Sequence, residues 1–296
     1  MTLALAVDIG GTKLAAALVD SDGAMVAPSR RSVPTPTTAD AEEVWRALAA
    51  LIDAVVDHSA WEIGVCGVGC GGPMGPGGEH VSPLNIPGWR GFPLRRRLAV
   101  HLGGQMPVTV DNDAKALALG EGWVGAAAGA SDFIAMVVST GIGGGIVLDG
   151  RLLDGASGNA GHIGHVIVEP EGRWCACGAR GCLEAEVSGT AIRATTGADP
   201  ASADPEVRAR AGRLVGRAVG SVANLLDLPL AVVGGSVALG FGDAFFAAAQ
   251  AELSATAQLD FSLGARIVPV GLGADGPLVG AAAVGFRAAG HDVGVG

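Results

Sequence analysis

The sequence predicts an α/β protein built from two related domains, and three observations predict it. Residues Leu3 to Gly23 (LALAVDIGGTKLAAALVDSDG) and Phe133 to Gly150 (FIAMVVSTGIGGGIVLDG) repeat one pattern: an apolar run, a polar Gly-rich loop, a second apolar run and an Asp-Gly turn. A length of 296 residues accommodates two domains of about 100–200 residues each. Hydrophobic residues make up 49% of the chain, enough for two sizeable cores.

Each apolar run in the repeat is too short for a buried helix and is bounded by turn residues, so each copy reads as strand, loop, strand. That is a hairpin. A dinucleotide fingerprint would need a helix to begin straight after its glycines, and none starts here. A Gly-rich hairpin instead offers backbone N–H groups in a concave nest, with no Cβ to hold an anion away. One such turn would be an ordinary bend. Two, carrying Asp8, Thr12 and Lys13 in the first and Ser139 and Thr140 in the second, point to a polyphosphate gripped by both domains. The chain has only two lysines, Lys13 and Lys115. Lys13 either neutralises phosphate or forms a salt bridge within its own hairpin.

Between and beyond the hairpins, Pro28 to Asp40 reads as an exposed loop before a helix from Ala41 to His58, with Asp40 and Glu43 as N-cap and N3 of a capping box. Ile63 to Gly69 is a buried strand ending in the turn CGGPMGPGG. Val108 to Val110 is a short strand, and Ala114 to Trp123 a helix near which the first domain ends. Thr195 to Pro205 reads as a flexible connection, Glu206 to Leu226 as a long helix, and Leu230 to Val233 as a strand running into Gly234 and Gly235. Pro277 to Ala289 reads as the terminal helix.

A net charge of −10 disfavours nucleic acid as a partner. Asp8 interrupts the N-terminal apolar stretch, so no signal peptide is expected, and no apolar segment approaches the roughly 20 residues that span a bilayer. The expectation is a cytoplasmic protein with no membrane partner. Three of the five cysteines, Cys175, Cys177 and Cys182, crowd into eight residues downstream of His165. Cys-x-Cys-x4-Cys with a nearby His supplies a Cys₃His set for structural Zn²⁺, because four protein ligands leave no position for a substrate water. Free buried thiols are the alternative. Cys66 and Cys70, in strand or turn, read as packing residues.

DIGGTK at 8–13 and STGIGGG at 139–145 resemble the phosphate loops of the ROK family, sugar kinases and sugar-responsive repressors of the actin and hexokinase superfamily. The resemblance runs through SPLNIPGW (82–89), VDNDA (110–114), GNAGHIGH (158–165), CACGARGCLEAEVSG (175–189) and VVGGSV (232–237). It implies two actin/hexokinase-like (ribonuclease H-like) domains with an interdomain active-site cleft. The N-terminal domain would span 1–116, with a terminal helix of about 284–296 returning to it. The C-terminal domain, carrying the zinc loop, would span 117–283. It implies ATP and Mg²⁺ as cofactors and a homodimer as the assembly.

Asp113, where strand gives way to helix, is by itself either an N-cap or a catalytic carboxylate. Its place between the two phosphate loops favours catalysis, and the resemblance makes it the base that accepts the proton of a sugar 6-hydroxyl. By the same carry-over Asn85, Asn112, His162, His165 and Glu184 contact the sugar. Asp8 holds Mg²⁺ or its waters, whereas Gly10, Gly11, Thr12, Lys13, Thr140, Gly141, Gly234 and Gly235 receive the nucleotide. One departure bears on substrate. Many family kinases carry Glu-x-Gly-His where this chain has His162-Ile-Gly-His165. A neutral imidazole donates as well as accepts, which suits a C2 substituent other than a plain equatorial hydroxyl. The variant resembles the members that phosphorylate N-acetylmannosamine, with glucose-phosphorylating members the alternative. A sugar-responsive repressor would need a DNA-binding domain ahead of the first strand, and with Asp8 only seven residues from Met1 none is expected.

Overall fold

The computed structural model describes residues 2–57 and 62–296. The first elements are β1 (Leu3–Ile9), β2 (Lys13–Asp20), β3 (Arg31–Pro34), α1 (Ala41–Val56), β4 (Ile63–Cys70), α2 (Leu94–His101), β5 (Val108–Asn112) and α3 (Asp113–Val124). Next come β6 (Phe133–Val138), β7 (Ile142–Leu148), β8 (Arg151–Leu152), α4 (Leu183–Val187), α5 (Gly189–Thr196), α6 (Pro205–Leu226), β9 (Leu230–Gly234), α7 (Ser236–Phe241), α8 (Asp243–Thr256), β10 (Arg266–Pro269) and α9 (Gly276–Ala288).

Both repeats fold as antiparallel hairpins. Leu3 to Ile9 pair with Asp20 to Leu14, and Phe133 to Val138 with Val147 to Ile142. The first sheet has the order β3-β2-β1-β4-β5. The second has the order β10-β9-β6-β7-β8, the same arrangement read from the other edge. In each, the hairpin's first strand pairs in parallel with the strand that enters next, β4 or β9. The repeat in sequence is therefore a repeat in topology.

Two compact units result. One comprises Met1–Gly129, Arg151–Ala160 and Leu272–Gly296, and the other Ala130–Gly150 and Gly161–Gly271. The division falls beyond 116 because α3 packs against α9 within the first unit. In the first unit β1 is buried nearly throughout, with helices α1 and α9 packed on the sheet. Helix α1 buries Val44, Trp45, Leu48, Leu51, Ile52 and Val55, a single face at helical spacing. In the second unit Gly212, Gly216 and Gly220 face α8 at four-residue spacing, the first two against the Phe245 and Ala249 carbonyls and the third against the Thr256 side chain, so α6 lies close against α8.

Several expectations need correcting. The Asp40 carboxylate accepts from the Glu42 amide, one residue short of a capping box, while Glu42 pairs with Arg97. Helix α1 ends at Val56, and His58 lies outside the described residues. The connection read as flexible is ordered at both ends: α5 runs to Thr196, and Asp199 caps a 3₁₀ turn at Pro200–Ser202. The terminal helix is Gly276–Ala288, not 284–296. Pro277 is preset for its first turn, and Gly290, at φ 84°, ends helical geometry. Among the described residues no helix is long and apolar enough to cross a membrane.

Candidate active site

Strands β1, β4 and β5 are parallel neighbours, so their carboxyl ends share one edge, where open α/β sheets bind ligands. Asp8 in β1 stands in register with Gly69, and Asn112 in β5 with Cys70. Burial pushes the Asp8 carboxyl up to about 7. The charge of Asp113 pushes the same way and Lys13 opposes it. Burial, with the charges of Asp113 and Asp8, also holds the Cys70 thiol protonated. Two half-buried carboxylates thus flank Gly69 at one sheet edge, close enough for the charge of one to raise the other. Asp113 opens α3 as its first residue, and the N-cap is Asn112, whose Oδ1 accepts from the Ala114 amide at 3.0 Å. Asp113 Oδ1 accepts from the same amide at 2.9 Å.

The loop between β1 and β2 is held from two sides. The Gly10 amide donates to the Lys13 carbonyl at 3.0 Å, and Thr35 donates through Oγ1 to the Gly10 carbonyl at 2.7 Å and through its amide to Thr12 at 3.1 Å. Asn85 packs so close to Gly11 that a side chain there would overlap Asn85 Cβ and stand 3.1 Å from its carbonyl oxygen. Phosphate-loop backbone and the predicted sugar-binding Asn85 are in direct contact, a juxtaposition the sequence does not announce.

In the second unit the Ser139 amide donates to the Gly141 carbonyl at 2.9 Å, closing the β6–β7 loop. Ser139 Oγ lies 2.9 Å from Ser236 Oγ at the start of α7, directly after Gly234 and Gly235, so the predicted nucleotide residues of this unit converge. Glu184 is bound up in the same loop. Its Oε2 accepts from the Ile142 amide at 2.8 Å, and a Cβ on Gly141 would come within 2.9 Å of that oxygen. Thr140 accepts from Thr190 Oγ1 at 3.0 Å.

His165, Cys175, Cys177 and Cys182 bring their ligand atoms within 4.8 Å of one another, as the spacing predicts. His165 Nδ1 and Cys175 Sγ are 3.7 Å apart, as are the sulfurs of Cys177 and Cys182. A tetrahedral zinc with Zn–S of about 2.3 Å sets neighbouring ligands about 3.8 Å apart, so the residues fit Zn²⁺. His162 lies beside the cluster, its ring centroid 6.0 Å from that of His165 at an interplanar angle of 28°. Cys66 and Cys70 are buried packing residues, and neither belongs to the cluster.

Comparison with known proteins decides the family. The ROK family profile matches residues 4–287. The chain belongs to the ROK family. It is 36% identical over 255 residues to an N-acetylmannosamine kinase of Escherichia fergusonii, an alignment covering 80% of this chain and 84% of that protein. Among solved structures it is similar to a ROK hexokinase from Thermus thermophilus, with 33% identity, a TM-score of 0.81 and coverage of 98% and 100% of the two chains. It is also similar to a ROK glucokinase from Streptomyces griseus, solved in complex with glucose and AMPPNP, with 28% identity, a TM-score of 0.82 and coverage of 96% and 99%. The fold is hexokinase-like.

Three side chains in this ROK protein carry more than their sequence signal. Lys115, a helix residue, is buried at 2% exposure, with its ammonium on Asp154 and Asp111. Glu186 is buried beside the cysteine loop, accepting from the Arg173 amide at 2.6 Å and from Arg210 Nη2 at 2.7 Å. Desolvation raises the Glu186 carboxyl, but these donors outweigh it and hold the group below its ordinary value. Ser236 completes the nucleotide-loop contact. Of the three, Lys115 alone carries a sequence signal, as one of only two lysines in the chain and set in a largely apolar helix.

Proposed function

We propose that the protein is an ATP-dependent sugar kinase that phosphorylates the 6-hydroxyl of N-acetylmannosamine. The observation that carries this reading is the pairing of half-buried Asp8 with Asp113 beside a Gly-Gly hairpin loop, in a chain 36% identical to an N-acetylmannosamine kinase. Asp113 accepts the proton of the 6-hydroxyl as that oxygen bonds to the γ-phosphorus. The bond from γ-phosphorus to the bridging oxygen breaks, and ADP leaves with the electron pair. Catalysis of this kind rests on positioning and charge neutralisation.

Each loop has a part in that task. Gly10, Gly11, Thr12 and Lys13 face phosphate in the first unit. Thr140, Gly141, Gly234 and Gly235 receive the nucleotide in the second. A partly desolvated carboxylate beside a second one is costly to ionise unless a cation compensates it, so Asp8 is suited to hold Mg²⁺ or its waters. Mg²⁺ held there would supply neutralisation of the charge on the phosphates of ATP. Asn85 and Asn112 hydrogen-bond sugar hydroxyls. Glu184 braces the β6–β7 loop through the Ile142 amide and contacts the sugar with its remaining acceptor capacity. His165, Cys175, Cys177 and Cys182 would hold Zn²⁺, which would order the loop leading into α4 and Glu184 and would fix the His165 ring beside the sugar. His162, stacked near His165, reads the C2 substituent.

The test is a coupled ADP-release assay across N-acetylmannosamine, N-acetylglucosamine, glucose and mannose, with the product analysed for the position of phosphate. The proposal predicts the highest kcat/KM on N-acetylmannosamine and a 6-phosphate product. Preference for glucose would assign the chain to the glucokinase reading.

A further inference from the structure

We propose that Lys115 is a positioning residue for the acceptor sugar, fastening the Asp154–Ala160 loop to the strand–helix junction that carries Asn112 and Asp113. This deepens the sugar-kinase reading and rests on it.

Lys115 stands two residues beyond Asp113 in α3, with its side chain 2% exposed. Burying an ammonium is costly unless it is paired and hydrogen-bonded. Its partners account for the burial and reveal its reach. Nζ forms an ion pair with Asp154, approaches Asp111 Oδ1 at 3.4 Å and donates to the Gly158 carbonyl at 3.3 Å. Asp111 is the strand residue just before Asn112 and Asp113, whereas Asp154 and Gly158 belong to a separate loop. One ammonium therefore ties the junction to both ends of a five-residue stretch of that loop.

The loop transmits the tether. The Ala160 amide donates to the Asp154 carbonyl at 2.9 Å, closing the loop on itself, and Asn159 Nδ2 donates to the Ser157 carbonyl at 3.0 Å. Fixing Asp154 and Gly158 thus fixes Ala160, and the chain continues through Gly161 directly to His162. Were Lys115 present only to satisfy Asp111, its i,i+4 neighbour, it would need neither Asp154 nor Gly158. The Asp154 side chain is 59% exposed and has no burial requirement of its own. The geometry is that of a strap across functional backbone.

The experiment uses the full chain with its metal. Asp154→Asn alters an exposed side chain and leaves the buried lysine its Asp111 and Gly158 partners, so it tests the strap without emptying the core. Lys115→Met removes the ammonium while keeping an unbranched stem. A displacement of about 1 Å at a positioning group can cost about 100-fold. Asp154→Asn should raise the KM for sugar about tenfold with the KM for ATP unchanged. Lys115→Met should have a larger effect, with the two non-additive in the double variant, because both cut one strap. A sugar KM within twofold of wild type in Asp154→Asn, or equal rises in the KM for sugar and for ATP, would overturn the strap. A wild type that phosphorylates none of the four sugars would overturn the kinase reading itself, and the strap with it.

Discussion

Replacing Gly11 with alanine adds one methyl group where the structure has no room for it. The new Cβ would overlap Asn85 Cβ and stand 3.1 Å from the Asn85 carbonyl oxygen. Carbon contacts settle at about 3.5–4.0 Å, so Asn85 must retreat by about 1 Å, or the Gly10–Lys13 loop must. Both atoms on Asn85 lie on or next to the backbone, so no side-chain rotation relieves the clash. The loop is also fixed on its far side by the Thr35 bonds to Gly10 and Thr12. A shift of that size at groups that position substrate costs about 100-fold in kcat/KM, equivalent to about 2.7 kcal/mol of transition-state stabilisation. Steady-state kinetics with sugar and ATP varied separately should show both KM values affected, because the clash lies where the predicted phosphate loop meets the predicted sugar residue. Thermal melting of the same preparation separates this loss from unfolding. A Gly11→Ala enzyme with kcat/KM within threefold of wild type and an unchanged melt would refute the assignment of this contact to the working site.

Three further outcomes are expected. Purified protein should hold about one zinc per chain by elemental analysis, and Cys177→Ser should lose it together with most sugar affinity; full sugar affinity in zinc-free protein would detach the cluster from the site. His162→Glu should move the kcat/KM ratio toward glucose by about one to two decades, as exchange of one directional hydrogen-bond partner is worth about 1–3 kcal/mol; an unchanged ratio would remove His162 from sugar selection. Glu186→Gln should lower stability at pH 7 by about 1–3 kcal/mol. The folded Glu186 carboxyl lies below its ordinary value, so its contribution is present above the unfolded value of 4.5 and is lost as pH falls through the folded value. The difference in melting temperature between wild type and variant should accordingly shrink as pH falls below 4.5, and an equal difference at pH 7 and at about pH 3.5 would count against the ion pair.

What the sequence made legible is what is local. Each Gly-rich hairpin writes its two strands and loop in one stretch of about 20 residues, and the repeat of that stretch foretold the repeated sheet order. The cysteine loop was legible for the same reason, since three ligands within eight residues have few ways to avoid one another. Other elements lacked local marks. Helix α2 reads LRRRLAVH and starts after Pro93 with no side-chain cap, and α8 follows Gly242 likewise uncapped. Their helicity is decided by packing on the sheet and on α6. The site shows the same division. Asp113 was legible as a helix-start carboxylate, although its neighbour Asn112 proves to be the cap. Lys115 with Asp154 and Glu186 with Arg210 join residues 39 and 24 positions apart, and nothing in either segment alone names its partner.

The most direct test of the account is the turnover of Asp113→Asn measured alongside its sugar affinity. General-base catalysis contributes about 10²–10⁴-fold, and Asn keeps the size and hydrogen-bonding reach of the side chain while losing its basicity. The account predicts a fall in kcat of about three orders of magnitude with the Kd for N-acetylmannosamine, read by calorimetry, within a few fold of wild type. Near-normal turnover in that variant would contradict it.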